Sequence, residues 1–403
     1  MIGRRQFSAA IAATGAGLLA APAHAQKAYG PGVTDTEIKI GNTAPYSGPA
    51  SAYGISARTI HAYLKSVNDK GGVNGRKINF VTLDDEFSPP KTVEMARRLV
   101  EQENVLMLVG GMGSACNLAI QKYMNAKKVP QLFIAVGGSR FNDPKGFPWT
   151  VPFNPSYHGE GALYARHILQ EFPDAKIAVL LQNDEMGRDL LAGFKQALGA
   201  KAAMIVAEQS YEISDPTVDS QMVSLKASGA DVLVNLSLIR AAVQAIRKVD
   251  ALGWKLRAHY LIYNAASLKA TFEPAGLARS TGIITTSFYK DPGEQAWADD
   301  PATRAYKAFM AKYAPNEDPN NSTAAYGYCV GQALENVLQR AGDNLTRENI
   351  LRLSTSLHDL RLPMMTPGVV LNNTAQNYFP VSALQMMRFN GKELEPMGSP
   401  LRL

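Results

Sequence analysis

One short stretch constrains this chain most. Val105 to Val109 is an apolar run that ends in Gly110, Gly111, Met112, Gly113 and Ser114. Leu118 to Lys127 then carries apolar residues at helical spacing, and Val129 to Val136 is a second apolar run, ending in Gly137, Gly138 and Ser139. Twice a buried strand runs into a Gly/Ser turn, and the first turn opens a helix. In a parallel sheet such turns set hydroxyls and free backbone N–H groups side by side at the carboxyl edge, where folds of this kind bind ligands. Gly and Ser also make tight turns and caps in any strand–helix unit. On this stretch alone both roles stay open.

The rhythm around that stretch is regular. Strands are expected at Glu37 to Thr43, Lys77 to Asp84, Lys176 to Gln182, Val232 to Leu236 and His259 to Ile262, with helical patterns between them. Strand and helix alternate from residue 37 to about 285, with a change of style near 150. That pattern predicts two consecutive α/β units with mostly parallel sheets, and 403 residues are enough for two full-sized domains. After 285 the pattern turns helical at Pro301 to Tyr313, Ala324 to Ala341 and Arg347 to Leu353. The tail has period-two runs at Val369 to Leu371, Tyr378 to Val381 and Leu384 to Phe389, expected to add antiparallel strands to one sheet.

Residues 1–25 read as an export signal: a positive start, an apolar Ala/Gly-rich run from Ile11 to Ala21, and a small-x-small site at Ala23-His24-Ala25. Arg4-Arg5-Gln6-Phe7 resembles a twin-arginine motif. Removing this leader takes away two arginines and no acid, which lowers the formal charge from +6 to +4. Lys and Arg are scattered, so nucleic acid is not an expected partner. Cys116 and Cys329 lie far apart in sequence and are expected to stay unpaired. The histidines show no metal-ligand spacing, no G-x-S-x-G or phosphate-loop motif is present, and the Gly110–Gly113 run departs from the dinucleotide fingerprint at Cys116. Metal, cofactor and catalytic residues are therefore not expected. Asp84-Asp85 reads as a turn or cap, because adjacent strand residues face opposite ways.

Several longer matches carry a family resemblance. They are I-K-I-G-N-T-A-P-Y-S-G-P at 38–49 with Tyr53-Gly54, V-N-D-K-G-G-V-N-G-R at 67–76 and D-D-E at 84–86. Further on come K-V-P-Q-L-F at 128–133, N-D-E-M-G-R-D-L at 183–190 and A-A-Y-G-Y at 324–328. Together they resemble the type I periplasmic solute-binding proteins of ABC importers, in the leucine/isoleucine/valine-binding family. The resemblance implies two Rossmann-like α/β lobes joined by a three-strand hinge. The lobes would comprise residues 34–153 with 287–361, and 154–286 with 362–403. It also implies a monomer in the periplasm that closes on a small molecule and docks on a membrane permease. By the same resemblance, Ser114, Ala115, Cys116, Gly137, Gly138 and Ser139 would hold a ligand carboxylate, and Tyr53 would pack on the ligand body.

The departures narrow the ligand. Met186 stands where amino-acid binders of the family carry a tyrosine, and Tyr263-Asn264-Ala265-Ala266 lacks the acid that would pair with an ammonium. Glu185 or Asp184 is left as a substitute partner. With Tyr46, Tyr53, Phe87, Met186, Tyr263 and Tyr326 as candidate walls, the expected ligand is an organic acid with an apolar or aromatic body. The alternative is a branched-chain or other hydrophobic amino acid. A ligand sensor and an exported hydrolase are the readings of another class.

Overall fold

The structure, a computed structural model, describes residues 27–403; the expected leader and its arginine pair lie outside the described residues. Parallel strands build the first sheet in the order Lys77–Asp84, Glu37–Ala44, Leu108–Val109, Gln131–Ile134, Thr150–Pro152. The second sheet runs Leu394–Pro396, Ala383–Phe389, Ile284–Ser287, Ala258–Leu261, Val232–Leu236, Ile177–Gln182, Ile205–Tyr211. Its strands from Ile284–Ser287 to Ile205–Tyr211 are parallel, and Ala383–Phe389 joins antiparallel.

Burial explains these patterns. Every residue of Ile177–Gln182 and Val232–Leu236 is buried, as expected of central parallel strands covered by helices on both faces. The edge strand Ile205–Tyr211 instead alternates between half-buried and exposed positions as far as Ser210, and only Tyr211 at its end is buried. Ala383–Phe389 is the tail strand expected from sequence, but the other two runs make only isolated bridges, Leu360 with Leu371 and Leu371 with Val381. Pro380 withholds an N–H from any ladder there.

The chain passes between the sheets three times. After Thr150–Pro152 it enters the helix Tyr157–Glu171, which packs on Glu185–Leu198. After Ile284–Ser287 it returns to lay Pro301–Tyr313 and Ser322–Ala341 against Gly54–Asp69. It then crosses back to deliver Ala383–Phe389. The helix pair in the first lobe approaches closely because of two glycines: a Cβ on Gly327 would stand 2.3 Å from the Ser56 carbonyl, and one on Gly331 would stand 2.7 Å from the Tyr63 ring.

The opening stretch departs from a simple pair of strands. Val105 to Val109 is buried throughout, yet only Leu108–Val109 pairs as a strand. In the second run Phe133 adopts φ +49° and the register shifts between Leu132 and Ile134. Such an irregularity re-aims the residues that follow, which decides what the second Gly/Ser turn can reach.

Candidate functional site

A cavity lies between the lobes. The first lobe contributes Tyr53, Phe87, Met112, Gly113, Ser114 and Ala135, and the second Tyr157, Gln182, Asp184, Met186, Leu238, Tyr263 and Asn264. Asn154 and Tyr289 come from the first two passages, and Thr323 and Tyr326 from the long helix Ser322–Ala341.

The first-lobe wall is built on one helix start. Ser114–Ala126 is preceded by Gly113 at φ +87°, a conformation that suits glycine. A Cβ on Gly113 would also stand 2.4 Å from the Phe87 ring. Asn117 Nδ2 donates to the Gly111 and Gly113 carbonyls (3.0 and 2.9 Å), and Gln131 Nε2 donates to Asn117 Oδ1 (2.8 Å). The turn is thus held from behind by a buried polar net. The first amides of the helix have no carbonyl above them and carry the positive end of its dipole. Ser114 is only 3% exposed, and its Oγ has no hydrogen-bond partner among the described residues.

Phe87 is delivered by a loop in which Glu86 and Phe87 both hold positive φ, +54° and +58°. Two adjacent carboxylates maintain that costly conformation. Asp84 Oδ1 accepts from the Tyr46 and Glu86 amides (both 3.0 Å), and Asp85 accepts from the Phe87 amide and Thr92 Oγ1 (both 3.0 Å). Neither acid lines the cavity; the turn role read from sequence describes both.

Tyr53 reaches across the cleft. Its hydroxyl donates to the Asn264 carbonyl (3.0 Å) and accepts from the Ile239 amide (3.2 Å). Asp184 caps the helix Glu185–Leu198, accepting from the Gly187 amide (3.0 Å) and from Gln182 Nε2 (2.7 Å). Burial raises its carboxyl above the ordinary value. Asn264 Nδ2 donates to the Tyr157 hydroxyl (3.0 Å) and contacts Met186 Sδ (3.7 Å), while its Oδ1 and the Tyr263 hydroxyl have no partner among the described residues. Behind this turn Glu160 is fully buried, and one oxygen accepts from Tyr164 OH (2.6 Å), the Tyr263 amide (2.9 Å) and Thr286 Oγ1 (2.8 Å). Burial pushes its carboxyl up to about 7.

The chemistry is that of a receptor pocket: apolar and aromatic walls, with unpaired polar atoms on both lobes. The model of the family described as periplasmic binding protein matches residues 37–393. The chain belongs to that family. This periplasmic binding protein is 28% identical over 250 residues to the Leu/Ile/Val-binding protein homolog 7 of Brucella abortus strain 2308. The match covers 60% of this chain and 62% of that relative, less than two thirds of its length. Its fold is that of a branched chain amino acid ABC transporter protein from Thermus thermophilus with bound valine, with a TM-score of 0.82 and 17% identity over 92% of this chain and 98% of the other. It is also that of an ABC transporter solute binding protein from R. palustris in complex with benzoate, with a TM-score of 0.74 and 21% identity over 90% and 96% of the two chains.

Of the site residues expected from sequence, Tyr53, Ser114, Met186, Tyr263 and Asn264 line the cavity of this periplasmic binding protein, as do Phe87 and Tyr326. The others lie outside the lining of that cavity. Ala115 and Cys116 lie in the helix behind Ser114, and burial pushes the Cys116 thiol up to about 12. Gly137 abuts Pro155, whose carbonyl leaves no room for a side chain, and Gly138 packs against Phe141. The Ser139 amide and Oγ both donate to Asp189 of the opposite lobe (2.9 and 3.1 Å). Glu185 turns its carboxylate toward Arg140 (3.8 Å), and the Tyr46 hydroxyl pairs with Thr82 Oγ1 (2.6 Å). The acid on the cavity is Asp184, not Glu185. Cys116 and Cys329 are both free and buried.

Asn154, Tyr157 and Tyr289 also line the cavity, though no sequence motif assigns them a site role. Their signal was position: each sits beside a predicted passage between lobes, where the chain must border the cleft.

Proposed function

We propose that this protein is an extracytoplasmic solute receptor whose lobes close over a small carboxylate-bearing ligand with an apolar or aromatic body. The closed form docks on the membrane permease of an ABC importer, and no catalytic step is involved. The leader at 1–25 supports export to the periplasm, and the receptor acts as a monomer. Residues 34–153 with 287–361 move against 154–286 with 362–403, the hinge lying in the three passages.

The observation that carries this reading is Ser114: a buried hydroxyl without a partner, at the start of a 13-residue helix, facing an aromatic cavity. A carboxylate there gains charge-assisted hydrogen bonds and a favourable dipole. The solved relatives with valine and with benzoate support the class, since both molecules join a carboxylate to an apolar body.

Asp184 favours a second reading, a hydrophobic amino acid, because it places one acid on the cavity wall. Against it, both Asp184 oxygens already hold partners, and burial opposes their charge. A thermal-shift screen across hydrophobic amino acids, their 2-oxo counterparts and aromatic carboxylates separates the two, since a ligand raises the midpoint by mass action. Stabilisation by leucine or valine, and by no amine-free acid, overturns the preferred reading. Asp184→Asn keeps the cap on the Gly187 amide but sets an amide nitrogen against Gln182 Nε2, so it reports an ammonium when amino-acid binding weakens while amine-free acids bind as before.

A further inference from the structure

We infer that the ligand carries, besides its carboxylate, a neutral hydroxyl bound between Tyr263 and Asn264; this rests on the carboxylate reading above. Tyr263 is 4% exposed, lines the cavity and leaves its phenol without a partner. Asn264 comes next in the same turn. Its Nδ2 faces the Tyr157 hydroxyl and Met186 Sδ. A thioether sulfur only accepts, so the amide nitrogen belongs on that side and Oδ1 is left over, buried and unpartnered.

The two orphan atoms ask for different things. The phenol has a proton to give, and the amide oxygen needs one. A single ligand hydroxyl meets both, accepting from Tyr263 and donating to Asn264. An ammonium only donates and leaves the Tyr263 proton unpaired. A carbonyl, ether or second carboxylate only accepts and leaves Asn264 Oδ1 unpaired. An orphaned buried group is costly, so the pattern selects a hydroxyl. Ser114 lies on the first lobe and the Tyr263–Asn264 turn on the second, so the carboxylate and hydroxyl belong at opposite ends of the molecule. Between them the walls are Phe87, Tyr157 and Tyr326, which suits a ring or an alkyl chain. The ligand class is a hydroxylated organic acid with its hydroxyl remote from the carboxylate.

The test is calorimetry on the full chain with matched pairs: benzoate against para-hydroxybenzoate, phenylpropanoate against its para-hydroxy analogue, and hexanoate against its omega-hydroxy analogue. In at least one pair the hydroxylated acid is expected to bind about tenfold more tightly, the worth of a well-made hydrogen bond. In Tyr263→Phe that advantage disappears while the parent acid binds as before. Equal binding within every pair, as when a water takes the hydroxyl's place, overturns the inference and leaves the carboxylate reading standing. Equal weakening of both members by Tyr263→Phe overturns it too, since that marks a structural role. If none of the acids binds, the carboxylate reading falls and this one with it.

Discussion

Tyr53→Phe tests how the cleft is held shut. The ring, 7% exposed, stays in place in phenylalanine, so its packing is retained. What disappears is one oxygen that joins the Ile239 amide at 3.2 Å to the Asn264 carbonyl at 3.0 Å across the lobes. With the lobes together, both groups are left buried without a partner, at roughly 1–3 kcal/mol each. With the lobes apart, water serves both, and little is lost. The cost therefore falls on the closed form alone. At the low end of that range it is about 2 kcal/mol in total, or about thirtyfold in apparent Kd. Calorimetry with the acid that stabilises the protein most reads the affinity, and small-angle scattering without ligand reads the shift toward open lobes. An apparent Kd within about threefold of native (a difference under about 1 kcal/mol), with unchanged scattering, refutes the latch.

Ser114→Ala is expected to weaken carboxylate binding by about 1–3 kcal/mol, whereas Ser139→Ala changes affinity far less, because its hydroxyl lies outside the cavity and water can replace its exposed contact to Asp189; calorimetry on the two variants side by side checks this. Gly113→Ala forces a side chain into positive φ and against Phe87, so both the melting midpoint and ligand affinity drop, and a variant as stable as native would show the turn to be looser than described. Glu160 titrates near 7 when folded against an ordinary value of 4.5. The folded state then holds the proton more tightly, so this group's contribution is complete below about pH 4.5 and is lost as pH rises through about 7, roughly 3 kcal/mol in all. Glu160→Gln should remove that loss, making chemical denaturation at pH 8 show a more stable protein relative to pH 5 than native does; an unchanged slope counts against it.

Local pattern made most of the architecture legible. Alternating apolar runs and Gly/Ser turns announce parallel strands and helix starts, because burial on a covered sheet and the demands of a tight turn act over only a few residues. Ser114 was readable for that reason: it follows a strand and opens a helix. The pair Asp84-Asp85 was readable as a turn, since neighbouring strand residues cannot share a face. Tertiary structure decided the rest. Ser139 sits in a turn that looks equivalent to that of Ser114, yet the shift at Phe133 and the approach of Asp189 from the other lobe take it out of the cavity. Glu185 and Asp184 are adjacent, and only the helix-cap geometry turns one toward Arg140 and the other to the cleft. Tyr53, Tyr263 and Asn264 meet only because three passages of chain bring two separately patterned lobes face to face. Which atoms stay unpaired at that meeting depends on register and side-chain direction across the cleft, and no local pattern encodes it.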